Sequence, residues 1–329
     1  MEIENIKNSI KGAINFLYEN QLNYGEFKTF ASWNPWLFPS SFDSSPFVTA
    51  FVLYALKDIE NEKGKIIKNK PINFLLSEQE KGGIWRFWTS KNKKRIPADL
   101  DDISTISFVL KENGINFDNN LQLILNNRNE NGLFLTWIMD KEYKNNIFWR
   151  IVEKNVDCVV NANVLLYLGK NDPAVCSFIN RVIKFNKFRS IYYPSKLALY
   201  YMVSRAFQNN ITSFGESRDI IIKSTLNYQK KVGVFGNDLE TALALDTLFN
   251  FNYYGKEGDS GIHYLLKSQL KNGSWERAVF FLGPPFWFLE TPPWYRYYGS
   301  EELTTALVIE AMKNYLLLEN YDQKSKIIL

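Results

Sequence analysis

A spaced signature, Gln-x3-Gly-x-aromatic, recurs four times in this 329-residue chain without a change of spacing. It occurs as Gln21/Gly25/Phe27, Gln79/Gly83/Trp85, Gln229/Gly233/Phe235 and Gln269/Gly273/Trp275; a degenerate copy, Gly132/Phe134, lacks the Gln. Repetition of this kind constrains a fold more than any single residue can, because each repeat must stack on its neighbours to bury its apolar face. Each copy follows a helical-looking segment, such as Ala13-Ile14-Asn15-Phe16-Leu17 or Tyr264-Leu265-Leu266. The Gly therefore reads as a helix C-cap or tight turn, and the aromatic can tuck back between helices.

After each turn and a loop of variable length comes a second helical segment. Five of these align on a closing apolar residue: Ser45–Leu56, Asp99–Leu110, Asp157–Leu168, Asn237–Leu248 and Glu301–Met312. A sixth, looser one begins near Pro194-Ser195. Period-2 alternation bounded by hairpin turns is rare, so strands are not expected. About six helix pairs that close on themselves give an all-α fold: one α/α-barrel domain over residues 1–329, the second helix of each pair inside.

The composition narrows function. A formal charge of +4 with scattered basic residues argues against nucleic acid as a partner. Contact of a basic, aromatic-rich surface with anionic lipid stays open. Cys158 and Cys176 have no metal-ligand spacing and suit a reduced compartment. The N-terminus lacks the basic start and apolar run of a signal peptide, and no stretch of about 18 uncharged apolar residues occurs. A cytoplasmic protein, membrane-associated at most, is the expectation.

The loops into the inner helices are aromatic: Trp33, Trp36 and Phe38 in one, Trp85, Phe87 and Trp88 in another. The longest runs from Pro284 through Trp287 to Trp294 and Tyr295. Barrel-end packing explains any one of these rings. Together they read as the lining of an apolar pocket.

Columns through the five aligned helices sort the acids of Asp99-Leu100-Asp101-Asp102. The first column, Ser45, Asp99, Asp157, Asn237 and Glu301, is made mostly of N-cap types, so Asp99 reads as a cap. Two residues on, the column is Phe47, Asp101, Val159, Leu239 and Leu303, so Asp101 projects where its counterparts are apolar. The next, Val48, Asp102, Val160, Glu240 and Thr304, is mixed and leaves Asp102 either a supporting partner or a surface charge. One turn beyond Asp101 lie Thr105, which can share its face, and in the corresponding helix Asn163, either a satisfied core amide or a partner for the acid.

Pro97-Ala98-Asp99-Leu100-Asp101-Asp102, following Gln79-x3-Gly83-x-Trp85-x-Phe87, resembles the squalene–hopene cyclase family of class II terpene cyclases, and in particular its one-barrel members. The resemblance implies an Asp-x-Asp-Asp motif on an inner barrel helix. Asp101 would protonate an alkene or epoxide, Asp99 and Asp102 would position and polarise it, and Phe87 would face the nascent cation. The chain departs from the family pattern in Ile103-Ser104, where Thr-Ala is usual, in a longer loop from Trp85 to Asp99, and in its histidine. His263 lies before Gln269 on an expected outer helix, so a water, Thr105 or Asn163 would have to support the acid instead.

The chemistry suits the residues. Protonating an alkene at pH 7 needs an acid raised about 3 units above the ordinary aspartate value of about 3.9, a difference of roughly 4 kcal/mol. Burial and neighbouring carboxylates push that way. The cation then needs π faces and exclusion of water.

Gly258-Asp259-Ser260-Gly261 looks like a hydrolase nucleophile turn, but the sole histidine is too near and helical. A prenyltransferase-type zinc site would need spaced Asp, Cys and His, and Asp157-Cys158 are adjacent. A barrel glycosidase could pair Asp101 with Glu240 or Glu302, and a non-catalytic isoprenoid-binding barrel would keep the acids as vestiges. The reading reached is a class II cyclase acting on a small-molecule isoprenoid, a prenylated aromatic or a prenyl diphosphate. Its substrate contacts are expected at Phe87, Trp88, Trp36, Thr105, Asn163, Trp287, Trp294 and Tyr295. Glu290, Glu302 and the tyrosines 295, 297 and 298 are candidates for the terminating proton acceptor. No cofactor is expected; Mg²⁺ would matter only for a diphosphate, met by Arg86 or Lys93-Lys94-Arg95.

Overall fold

A computed structural model describes residues 3–59, 62–92, 96–144, 147–283 and 296–326. The helices come in outer–inner pairs. Helix α1 (Ile3–Asn20) precedes α2 (Pro46–Ala55), and α3 (Glu62–Ser77) precedes α4 (Leu100–Glu112). The third pair is broken on its outer side into α5 (Leu121–Asn126), α6 (Lys141–Lys144) and α7 (Ile147–Val152) before α8 (Cys158–Leu168). Then follow α9 (Pro173–Lys184) with α10 (Lys196–Gln208), α11 (Arg218–Leu226) with α12 (Asp238–Asn250), and α13 (Lys256–Ser268) with α14 (Glu301–Lys326).

The inner helices close a ring in the order α2, α4, α8, α10, α12, α14 and back to α2. The fold is an α/α barrel. Inner helices of this kind are apolar on every side, and α8 shows it: all residues from Cys158 to Tyr167 are buried. The outer helices are one-sided; α9 buries Val175, Cys176, Ile179, Asn180 and Ile183 and gives its other face to solvent.

The repeated signature holds the outer ring together. Gly273 has φ +90°, and a Cβ there would lie 2.4 Å from the carbonyl oxygen of Gly12 in α1, so only glycine permits that approach. Beside it Gln269 donates through Nε2 to the Ser9 carbonyl at 2.9 Å and accepts from Ser9 Oγ at 2.8 Å. The last outer helix is thereby fastened to the first. The aromatic of each copy is buried, and both Trp85 and Trp275 donate Nε1–H to a carbonyl ten residues upstream, Leu75 and Leu265.

Each inner helix starts on a side-chain cap, so all six N-termini gather at one mouth of the barrel. Ser45, Asp99, Asp157, Ser195 and Asn237 accept backbone N–H bonds there. In α14 the cap is Ser300, whose Oγ accepts from Leu303 N at 3.0 Å. This corrects the expected alignment by one residue. Glu302, not Leu303, is the counterpart of Asp101.

Strands, which the sequence pattern did not suggest, lie at this mouth. A four-stranded antiparallel sheet runs in the order β2 (Ser41–Phe42), β1 (Phe30–Ser32), β6 (Arg296–Gly299), β5 (Phe281–Gly283). A two-stranded ribbon pairs β3 (Ala98–Asp99) with β4 (Trp137–Ile138). No helix among the described residues is long and apolar enough to cross a membrane.

Candidate active site

The three acids stand where β3 turns into α4. Pairing of Asp99 with Trp137 and a bond from Leu100 N to Thr136 O at 2.8 Å fix the approach of the chain. Asp99 is extended and caps the helix, its Oδ1 accepting from Asp102 N at 2.8 Å. Asp102 is buried, not a surface charge. It is hydrogen-bonded side chain to side chain with Asp99, and its carboxyl is held well above the ordinary range by burial and by the Asp99 charge. Burial raises Asp99 as well, but its bonds from Asp102 and from the backbone N–H groups of Asp101 and Asp102 pull the other way, so of the pair Asp102 is the one held higher and Asp99 the one more readily ionised.

Asp101 points away from that pair. Its Oδ1 accepts from Asn163 Nδ2 of α8 at 2.6 Å, and its Oδ2 accepts from the Tyr193 hydroxyl at 2.5 Å. Burial first, then the Asp99 charge, raise its carboxyl to about 7, while the bonds from Tyr193 and Asn163 work in the opposite direction. Such an acid is protonated about half the time at neutral pH and still has two donors ready for the anion it becomes.

The acids open onto a cavity of about 60 Å³ between the barrel mouth and the sheet. All three aspartates line it, with Phe47 of α2, Phe87, Trp137, Tyr192, Tyr193 and the β5 residues Phe281 to Gly283. The wall is a mesh of edge-on rings: Phe87 meets Phe281 at 5.4 Å and Tyr298 at 5.1 Å between centroids, and Phe47 meets Phe281 at 5.4 Å. Each of these pairs sets the edge of one ring against the face of another, and Phe281 also stacks on Tyr298, so the wall is aromatic and close-packed.

Other expected residues are placed differently. Thr105 is buried, but its Oγ1 has no hydrogen-bond partner and does not reach Asp101. Trp88 is outside the lining and donates Nε1–H to Asp43 at 3.2 Å. Trp36 is 83% exposed on the β1–β2 hairpin, with Phe38 at 80% and Trp33 at 59%, so these rings face solvent rather than the cavity. Trp287, Trp294, Tyr295, Glu290 and Lys93-Lys94-Arg95 lie outside the described residues.

Arg86 is not available to a diphosphate. It is committed to Glu80 at 2.8 Å, Asp140 at 3.2 Å and the Ile96 carbonyl at 2.7 Å. Glu302 is buried, with burial raising it to about 7, but it does not line the cavity. Glu240 does not line it either, which removes both partners considered for a glycosidase pair. Of the terminator candidates, Tyr298 backs the wall through Phe87 and Phe281. His263 is exposed on outer helix α13, and Gly258 to Gly261 are simply part of that helix.

Tyr193 was not foreseen. It precedes the cap Ser195 of the one inner helix too irregular to align, and the available signal was the adjacent pair Tyr192-Tyr193 just before that cap. Among the described residues no group of three or more His, Cys, Asp or Glu is disposed to hold a metal ion.

No protein-family model matches the chain, and no curated protein does. Solved structures do. A point variant of the type II terpene cyclase MstE from Scytonema, in complex with its substrate geranylgeranyl dihydroxybenzoate, superposes with a TM-score of 0.72 at 16% identity, over 96% of this chain and 99% of that one. The apo enzyme gives 0.71 at the same identity and coverage, and a variant bound to the product merosterolic acid A gives 0.73 over 96% and 98%. The barrel has the type II terpene cyclase fold. At this identity the likeness speaks for the fold; the chemistry must be argued from the residues of the mouth.

Proposed function

We propose that the protein is a class II cyclase that protonates a linear isoprenoid and folds it into rings within the barrel mouth. The observation that carries this is Asp101: a carboxyl raised to about 7, facing an aromatic cavity, with two donors aimed at its oxygens. Asp101 gives its proton to one carbon of the terminal alkene. A C–H bond forms, a tertiary cation appears on the neighbouring carbon, and Asp101 becomes a carboxylate held by Tyr193 and Asn163. The next alkene attacks the cation, a C–C bond closes the ring, and the charge moves on. A water takes a proton from the carbon beside the last cation as the closing C=C bond forms, and Asp101 regains a proton from solvent, so the product is an isomer of the substrate and the enzyme is unchanged. Phe47, Phe87 and Phe281 offer the cation their rings, worth about 2 kcal/mol each when desolvated.

Asp99 and Asp102 act through Asp101. Burial first, and then the charge of Asp99 as far as that acid ionises, keep Asp101 protonated until substrate arrives. No step calls for a cofactor. A prenylated aromatic acid, the class of ligand bound by MstE, is the first substrate to try, and Arg86, being paired, is not the residue that would meet a diphosphate.

The reading extends to where the substrate is met. Trp33, Trp36, Phe38 and Phe42 stand out from one hairpin, and residues 29–42 contain no charged side chain. Such a loop suits the interface of a lipid surface, where isoprenoids partition. The buried, unpaired cysteines Cys158 and Cys176 suit a reducing cytoplasm.

The test is turnover in D₂O with geranylgeranyl dihydroxybenzoate and geranylgeranyl diphosphate. A cyclised product with one new deuterium, absent with Asp101→Asn, supports the reading. Cyclisation at the wild-type rate by that variant would remove Asp101 from the chemistry, and absence of product from every prenyl substrate would leave a non-catalytic isoprenoid binder.

A further inference from the structure

We propose that Arg296 receives the oxyanion of the substrate's head group at the edge of the cavity, and so orients the isoprenoid tail toward Asp101. The inference rests on the cyclase reading and adds to it the polarity of substrate binding.

The sheet supplies the geometry. In the β5–β6 ladder Phe281 opposes Tyr298 and Gly283 opposes Arg296. Directly opposed residues share a face, so the Arg296 side chain leaves the sheet on the same side as Gly283 and Phe281; Phe281, Leu282 and Gly283 all line the cavity, and Arg296 stands beside Gly283 at its rim rather than in its lining. Gly283 makes the same point by what it lacks. A Cβ there would come within 3.0 Å of the Tyr298 ring and 3.4 Å of the Arg296 Cβ. The residue that lines the cavity thus leaves uncovered the stem of the arginine beside it.

The guanidinium is unspent. Arg86, Arg128 and Arg277 are each paired with a carboxylate, at 2.8, 2.9 and 2.7 Å. Arg296 has no such pair among the described residues. Its polar contact is Nη2 to Ser41 Oγ at 3.5 Å, and its charge lies 5.3 Å from the centroid of the Trp33 ring. Its Nε is sealed from solvent with no acceptor at all. A buried donor left without an acceptor is costly, so the position asks for a group the chain does not provide. Asp43, on the same wall, already accepts from Trp88, Asn92 and Tyr298.

A planar fork with an open Nε matches a carboxylate or a phosphate, each able to accept two parallel bonds. The shared chemistry is a terminal oxyanion. It could come from an aromatic acid or from a diphosphate.

The experiment compares wild type, Arg296→Gln and Arg296→Lys on three substrates: geranylgeranyl dihydroxybenzoate, its methyl ester and geranylgeranyl diphosphate. Wild type is expected to favour the acid over the ester by about tenfold or more in kcat/KM, expressed mainly in KM. Arg296→Gln should bring the two within about twofold, and Arg296→Lys should recover part of the preference. If the diphosphate is the natural source, the preference and its loss appear on that substrate instead. Unchanged discrimination in Arg296→Gln, with a wild-type melting curve, overturns the proposal. Should no substrate cyclise, the cyclase reading fails separately. Calorimetry of geranylgeranyl dihydroxybenzoate on Asp101→Asn then decides for Arg296: about tenfold weaker binding on adding Arg296→Gln supports it, and equal binding refutes it.

Discussion

Tyr193, on the loop into α10, donates its hydroxyl to Oδ2 of Asp101, a residue 92 positions earlier in the chain. This bond favours the carboxylate, so it makes Asp101 a stronger acid than burial alone would leave it. Tyr193→Phe keeps the ring and removes the donor. A hydrogen bond to a charged group contributes about 1.5–3 kcal/mol, so the Asp101 carboxyl should rise by about one unit or more. The fall in kcat with rising pH, centred near 7 in the wild type, should then move to higher pH while the plateau rate drops. A pH–rate profile measures both; an unmoved profile would show that the bond plays no part in turnover.

Asp101→Asn should lower the rate by about 10²–10⁴-fold, the usual yield of a positioned acid. It should also stabilise the protein. The folded-state carboxyl is raised to about 7 against 3.8 unfolded, so the folded state holds the proton more tightly. The contribution of Asp101 to stability is therefore fully present below about pH 4 and is lost as pH rises through the window up to about 7. The full shift would amount to about 4 kcal/mol at pH 8. Asparagine carries no charge to bury. Denaturant melts at pH 4 and pH 8 should show a gain for the variant that is larger at pH 8.

Gly273→Ala tests the ring closure. At φ +90° the added Cβ would meet the Gly12 carbonyl oxygen at 2.4 Å, whereas Gly82, at φ +83°, has nothing within 4 Å. Gly82→Ala should cost only the backbone term, about 1–2 kcal/mol. Gly273→Ala should cost at least about 2 kcal/mol more, because two backbones must part. Equal losses in urea melts would mean that the contact with α1 contributes nothing.

Trp36→Ser with Phe38→Ser probes the exposed hairpin. Both rings face solvent, so the melting transition should shift by no more than about 0.5 kcal/mol. Co-sedimentation with phosphatidylcholine–phosphatidylglycerol vesicles should fall severalfold in the double variant. Retained vesicle binding would place the lipid contact elsewhere.

The barrel was legible because its signals are local and repeated. Caps, apolar closers and the Gln–Gly–aromatic turns each describe one helix pair, and six pairs determine the ring. Only α14 slipped: two polar residues, Ser300 and Glu301, compete for the cap, and matching on Met312 chose the wrong one. The acid cluster was legible too, since one face of an inner helix can be read from spacing; Asn163 stayed open between a core amide and a partner for the acid, because spacing within one helix does not say what faces it across the barrel. Tyr193 was not, because a loop residue 92 positions from Asp101 meets it only through the closure of the barrel. The sheet escaped for a related reason. Its strands are two to four residues long, too short for alternation to show, and β1 finds β6 across at least 265 positions, from Ser32 opposite Tyr297 to Phe30 opposite Gly299. Arg86 looked like a free cation in the sequence; its partners Glu80 and Asp140 could be assigned only in space.

The bond between Gln269 and Ser9 has a bearing on how product size is set. A stack of helix pairs with open ends could spread to admit a bulkier guest, but here the last pair is fastened to the first, and the bore is dictated by the number of pairs. Room beyond 60 Å³ must then come from side chains, by rotation or replacement of Phe47, Phe87 and Phe281. Trimming those rings one at a time is the route by which this scaffold would trade one polycycle for another.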